Sequence, residues 1–195
     1  MSFSKILTPR PELLKGDGIQ GIIDIENINN KKRKTLESSP EEFFSLTYPT
    51  TDIKNVLHNL NIRYNSNQGN PGLFLLEGFK GSGKSHLELF VYHLFQNYEI
   101  AKKWLAEHKL ECNIPTDATV IIHKFTDFPL DSIWNLIFEK VGASKFVSST
   151  RPDLTQLREA LKGKKTVLIL DELELGFESI ANKSAQAQNL AFLQM

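Results

Sequence analysis

The chain of 195 residues holds one cysteine, Cys112. No internal disulfide can form, and a single thiol cannot supply the paired cysteines of a zinc-finger ligand set, which excludes a disulfide scaffold and a zinc finger. A lone thiol fits a reducing compartment. Net charge is lacking too: 23 Lys plus Arg balance 23 Asp plus Glu, which removes a globally basic grip on nucleic acid but not a local patch. Only five arginines exist, Arg10, Arg33, Arg63, Arg151 and Arg158, none of them clustered. No apolar run approaches the roughly 18 residues that span a bilayer. The start Met1-Ser2-Phe3-Ser4-Lys5 has no secretion-type hydrophobic stretch, so a cytoplasmic protein is expected. What is present suffices for a core. Hydrophobic residues make up 41% of a length that suits one full domain or one incomplete larger one.

Residues 1–39 read as an arm or linker, punctuated by Pro9, Pro11, Gly16, Gly18 and Gly21 around the short apolar piece 19–25. A helical segment, 40–66, follows. In it Thr50 or Thr51 can cap a helix whose Ile53, Val56, Leu57 and Leu60 share one face. From 67 to 195 buried strands alternate with amphipathic helices. Residues 73–76 have the length of a strand covered on both faces. A helix from Lys84 turns Leu87, Phe90, Val91, Leu94 and Phe95 inward, and another holds Ile100, Ala101, Trp104 and Leu105. Residues 119–125 form a second strand, and Ile133, Trp134, Ile137, Phe138 and Val141 give a helix stopped by Gly142. Pro152 can open a helix carrying Leu154, Leu157 and Leu161; residues 166–170 form a third strand, and 184–195 a last helix. The alternation implies an α/β fold with parallel pairing.

Between the first strand and its helix lies Gly78-Phe79-Lys80-Gly81-Ser82-Gly83-Lys84-Ser85, which satisfies G-x-x-x-x-G-K-[ST]. Glycines open backbone conformations that bring successive N–H groups to an anionic phosphate chain, and the helix adds its positive N-terminal end. Lys84 would reach the β- and γ-phosphates, and the Ser85 hydroxyl would hold Mg²⁺. His86, next in the helix, either touches a ligand or packs.

The third strand ends in Asp171-Glu172, where parallel α/β sheets place their ligand crevice. Asp171 would bind Mg²⁺ through its water shell, and Glu172 would orient or deprotonate the water attacking the γ-phosphate, so Glu172 and Lys84 are the catalytic candidates. A GTPase would show D-x-x-G here and N-K-x-D later. Glu174 and Asn182-Lys183-Ser184-Ala185 do not fit. Adjacent acids resemble the additional-glutamate branch of P-loop ATPases, which includes AAA+ and STAND proteins.

Three blocks, Phe43-Phe44-Ser45-Leu46-Thr47-Tyr48-Pro49-Thr50, the loop through His86-Leu87, and Thr126-Asp127-Phe128-Pro129-Leu130-Asp131, together resemble the N-terminal part of large bacterial and archaeal AAA+-like ATPases. Those ATPases are encoded beside DNA methyltransferases in phage-defence islands, the BREX ATPases being one type. The likeness spans most of residues 40–178. It implies a three-layer α/β/α P-loop NTPase that uses ATP and Mg²⁺ for conformational work in a DNA-modification or anti-phage complex. It also implies defence-complex partners such as the methyltransferase, and a homo-oligomer when full length. Relatives are much longer. In their sheet the strand after the acidic pair inserts between the loop strand and the acidic-pair strand, so the sequence is expected to be truncated before that strand, its sensor residue and its arginine finger. A non-hydrolysing nucleotide-dependent scaffold is the alternative. A P-loop kinase of a small acceptor is a further one, though no arginine lid is at hand.

Softer signals have plain readings. Lys31-Lys32-Arg33-Lys34 could meet DNA phosphates, but a short basic cluster in a polar linker is usually just solvated, as Lys162, Lys164 and Lys165 are expected to be. Phe43, Phe44 and Tyr48 could wall an adenine pocket, as this segment does in AAA+ relatives, or lie in the core. Asp127 and Asp131 fall on the ligand side, Asp131 as a helix cap. Trp104 and Trp134 are read as packing residues.

Overall fold

The computed structural model describes residues 22–29, 34–65, 72–126, 130, 132–180 and 182–195. Lys31, Lys32, Arg33, Asp127, Phe128, Pro129 and Asp131 lie outside them. After a 3-10 turn at Ile25–Asn29 come helices α1 (Pro40–Leu46), α2 (Thr51–Asn65), α3 (Lys84–Gln96) and α4 (Tyr98–Glu107). Strand β1 (Thr119–Lys124), α5 (Ile133–Lys140), α6 (Leu154–Leu161), β2 (Thr166–Asp171), α7 (Leu173–Ser179) and α8 (Lys183–Leu193) complete the described chain. Among the described residues no helix is long and apolar enough to cross a membrane.

The two strands pair in parallel, in register from Thr119 opposite Thr166 to Lys124 opposite Asp171. Side chains alternate across the pleat, so one sheet has two faces to cover. Val120 and Val167 pack on a cluster built from α1 to α4, with Phe43, Phe44, Leu89, Phe90, Leu94 and Trp104 at its heart. Ile121, Leu168 and Leu170 pack on a second cluster drawn from α5 to α8, around Trp134, Phe138, Ala160 and Phe192. The result is an α/β molecule with helices on both faces of a two-strand parallel sheet.

The helical stripes fall where the 3.6-residue period puts them. Ile53, Leu57 and Leu60 are buried on α2, and Thr50 Oγ1 accepts the Ile53 N–H at 3.3 Å as its cap. Gly142 at φ 68° stops α5, and Trp134 and Trp104 are both packed in the core.

Three expectations are corrected. Residues 73–76 form no strand: no described residue pairs with them, and Leu73 and Leu75 are 81% and 77% exposed. A parallel strand exists only through a ladder with a neighbour, and β1 and β2 pair with each other. An apolar run supplies the burial tendency, not the partner. Pro152 does not open α6. Asp153 does, in a capping box with Gln156, which starts the helix at Leu154 and leaves that leucine 46% exposed. The lysines before β2 are not all solvated: Lys164 Nζ donates to the Val141 carbonyl, and Lys165 pairs with Asp117 at 2.8 Å.

Candidate phosphate site

The glycine loop runs into α3 with Gly83 as its N-cap. Gly81 and Gly83 have φ of 82° and 91°, a region that side-chain-bearing residues rarely adopt. A Cβ at either would meet nothing within 4 Å, so space lies over the loop. The first glycine differs. A Cβ on Gly78 would come 2.5 Å from Ser82 Oγ and 3.2 Å from its Cβ, so a side chain there would displace the Ser82 side chain. The loop is tied by Ser82 N–H to the Phe79 carbonyl at 3.1 Å, and by Lys84 Nζ, which donates to the carbonyls of Gly78 at 2.7 Å and Phe79 at 3.2 Å. The ammonium therefore folds back across its own loop. Phe79 is 92% exposed, and Lys80 is exposed beside it.

The acidic pair arrives from the other side. Asp171 closes β2 and is buried, while Glu172 begins α7 in the left-handed region at φ 55°. A non-glycine residue there costs of order 1–3 kcal/mol and is held only when its surroundings insist. Here Thr126 Oγ1 donates to the Glu172 carboxylate, and the Phe125 N–H donates to the Asp171 carbonyl at 3.1 Å. Gly176 sits one turn further along α7, directly against the Phe125 ring. The path from β1 thus fixes where Glu172 stands.

Glu88 joins the two halves. It lies four residues after Lys84, on the same face of α3, is buried, and feels the charge of Asp171. Burial above all, then the charge of Asp171, pushes Glu88 up to about 8, with Lys84 pulling the other way. Asp171 is itself raised, by burial first and the neighbouring Glu172 charge second; Lys124 and Lys84 oppose this. Lys84, Glu88, Asp171 and Glu172 therefore share one electrostatic neighbourhood.

Ser85 follows Lys84, and its hydroxyl makes no hydrogen bond among the described residues. Among those residues no three His, Cys, Asp or Glu side chains form a metal-holding group. A phosphate-associated magnesium ion asks for less: one hydroxyl and one carboxylate beside phosphate oxygens and water. Ser85 and Asp171 supply that donor set, and the open space over Gly81 and Gly83 suits a polyphosphate, so the residues present fit both groups. His86 is turned elsewhere. Its ring packs on Phe43 at 4.8 Å and its Nε2 lies 3.0 Å from Thr47 Oγ1, and burial lowers its pKa. Phe43 and Phe44 are core residues, while Tyr48 stays exposed.

The sequence model of the DUF499 N-terminal domain, a domain of unknown function, matches residues 20–122, more than half of the chain. The chain belongs to the DUF499 N-terminal domain family. No curated protein and no solved structure matches it. The DUF499 span takes in α1 to α4, the glycine loop, Lys84 and Glu88, and ends inside β1; Thr126, Asp171 and Glu172 lie beyond it. Within the DUF499 span, Glu88 and Thr47 are the site residues that motif reading passed over. The signal for Glu88 was available as an acid four places after the loop lysine on an otherwise apolar face. That for Thr47 was not, because its partners His86 and Trp104 are distant in sequence.

Proposed function

We propose that this domain binds ATP with Mg²⁺ on the loop Gly78–Ser85 and hydrolyses it, as a P-loop ATPase of the additional-glutamate type. One observation carries the reading. The face of α3 that begins with the loop lysine brings Glu88, four residues on, into the electrostatic reach of the buried Asp171 at the end of β2, and Lys84 acts on both acids. Loop amides, Lys84 and His86's helix would hold the phosphates, and Ser85 and Asp171 the metal, which when bound offsets phosphate charge. Lys84 would leave the Gly78 and Phe79 carbonyls to meet the incoming anion, exchanging neutral acceptors for charged ones. Glu172, held by Thr126, would receive the proton of the attacking water. The wider resemblance to AAA+-like ATPases of phage-defence islands would assign the turnover to conformational work beside DNA-modifying partners.

Equilibrium ATP binding and phosphate release test this in wild type, Lys84→Ala and Glu172→Gln. Loss of binding is expected in the first variant; the second should retain binding while turnover falls by about 10² to 10⁴. Phosphate release unchanged by Glu172→Gln would refute the assigned role. A second reading, a nucleotide-dependent scaffold without turnover, is favoured by residues 73–76 standing outside any ladder just before the loop. It predicts Lys84-dependent binding with no phosphate release in wild type.

A further inference from the structure

Away from the phosphate loop, the end of α1, the following corner and the last turn of α4 enclose a cavity of about 220 Å³. Its walls include Phe44, Ser45, Tyr48, Trp104, Glu107 and His108. Its side-chain hydrogen-bond donors, the Tyr48 hydroxyl apart, are already spent on the protein itself. Trp104 Nε1–H donates to the Thr47 carbonyl at 3.0 Å, Ser45 Oγ–H to the Glu42 carbonyl at 2.7 Å, and Thr47 Oγ1–H to the Phe43 carbonyl at 2.8 Å. His108 Nδ1 lies 2.9 Å from the Trp104 carbonyl; a carbonyl only accepts, so Nδ1 carries the hydrogen and Nε2 is left with a lone pair.

What remains for a visitor is chiefly acceptor and π surface. Glu107 is exposed and in no ion pair among the described residues, and neither Lys103 nor Lys109 is paired with it. Tyr48 is 75% exposed and its hydroxyl has no partner among the described residues. An anion, or the acceptor edge of a base, would find the Tyr48 hydroxyl as its one unspent side-chain donor among these wall residues and would face the Glu107 carboxylate. A donor-rich cation finds a carboxylate, an imidazole lone pair and two aromatic rings, of Tyr48 and His108. A guanidinium suits this set better than an ammonium: it is planar, weakly hydrated, stacks on aromatic faces and offers five donors in a fixed fork.

We propose that this cavity receives an arginine side chain presented by a segment of a partner protein. The site needs no nucleotide. The chain has two tryptophans, so Trp134→Phe leaves Trp104, in the cavity wall, as the only indole reporter. The probe is the peptide acetyl-Gly-Arg-Gly-amide, titrated against full-length Trp134→Phe protein that circular dichroism shows to be folded. Its citrulline and lysine counterparts follow. A saturable change in Trp104 fluorescence below about 10 mM arginine peptide is expected. Citrulline should bind about tenfold or more weakly, and Glu107→Gln and Tyr48→Ala should each weaken arginine binding by about fivefold with unchanged thermal melts. Citrulline binding as tightly as arginine, indifference to Glu107→Gln, or no saturation would overturn the proposal. Equal binding of the lysine peptide would reject a guanidinium site. Repeating the titration in Lys84→Ala without ATP keeps the result independent of the nucleotide reading.

Discussion

Glu88 on α3 and Asp171 at the end of β2 are two buried acids close enough that the charge of Asp171, after burial itself, helps push Glu88 up to about 8. Two carboxylates can only accept and repel each other, so Glu88, pushed up to about 8, keeps its proton at pH 7. One oxygen of Glu88, Oε2, is buried without a partner. Glutamine has the same shape and keeps a donor for Asp171. Glu88→Gln is therefore expected to cost under about 1 kcal/mol, and Glu88→Ala about 2 kcal/mol, because alanine removes both the buried chain and the donor. Urea unfolding at pH 7 checks this. A glutamine variant as unstable as the alanine one would show that a neutral donor facing Asp171 contributes nothing.

His93 gives the fold a dependence on acid. Its Nε2–H donates to the Glu37 carbonyl at 3.0 Å and its Nδ1 accepts from Asn97 Nδ2 at 2.9 Å, so the ring is satisfied only when neutral. Burial lowers its pKa from 6.5 to about 4, although the Glu37 hydrogen bond and the Glu41 charge act upward. The unfolded chain binds the proton more readily. The stabilisation is therefore complete above pH 6.5 and is lost as pH falls towards 4, a change of about 3 kcal/mol. Unfolding free energies of wild type and His93→Gln, compared from pH 7 to pH 4, should converge by about that amount on the acid side. Parallel curves would mean that the ring titrates normally in the fold.

Gly176 allows α7 to lie against Phe125. A Cβ there would sit 2.1 Å from the Phe125 Cβ, closer than any real contact. Gly176→Ala is expected to destabilise by about 3 kcal/mol through overpacking, even though alanine is the better helix former. Phe125→Ala, which removes the ring atoms at 2.4 and 2.5 Å though not the Cβ, should recover part of this in the double variant. Simple additivity of the two single costs in thermal unfolding would show that the residues do not compete for the same space.

Local chemistry decided what could be read beforehand. The β-branched runs that became β1 and β2, the stripes of α2 to α5 and the glycine loop with its lysine are signalled by neighbours within one or two turns. So is the capping box of Asp153 and Gln156, which begins one residue past the Pro152 read as the helix start. Pairing is a different matter. Leu73 and Leu75 carry the apolarity of a buried strand, yet a ladder depends on another segment's position, which no short window contains. Thr126 with Glu172 and Glu88 with Asp171 bridge 46 and 83 positions respectively, so only the fold discloses that they meet.

Thr47 ties three helices through one residue. Its hydroxyl hydrogen is given to the Phe43 carbonyl at 2.8 Å, so towards His86, 3.0 Å away, it can only accept, and His86 must carry its hydrogen on Nε2. Its carbonyl takes the Trp104 indole N–H at 3.0 Å. Thr47→Val keeps the shape and the carbonyl but removes the acceptor, leaving the His86 N–H half-buried and unpaired. A loss of about 2 kcal/mol is expected, against under about 1 kcal/mol for Thr47→Ser, which retains the hydroxyl. Nitrogen NMR of the imidazoles supplies the independent readout. The wild-type spectrum should show His86 neutral with hydrogen on Nε2, and Thr47→Val should shift that signal while Thr47→Ser leaves it in place. A wild-type His86 with its hydrogen on Nδ1 would refute the arrangement, since the Thr47 hydroxyl would then have two acceptors and one hydrogen to share.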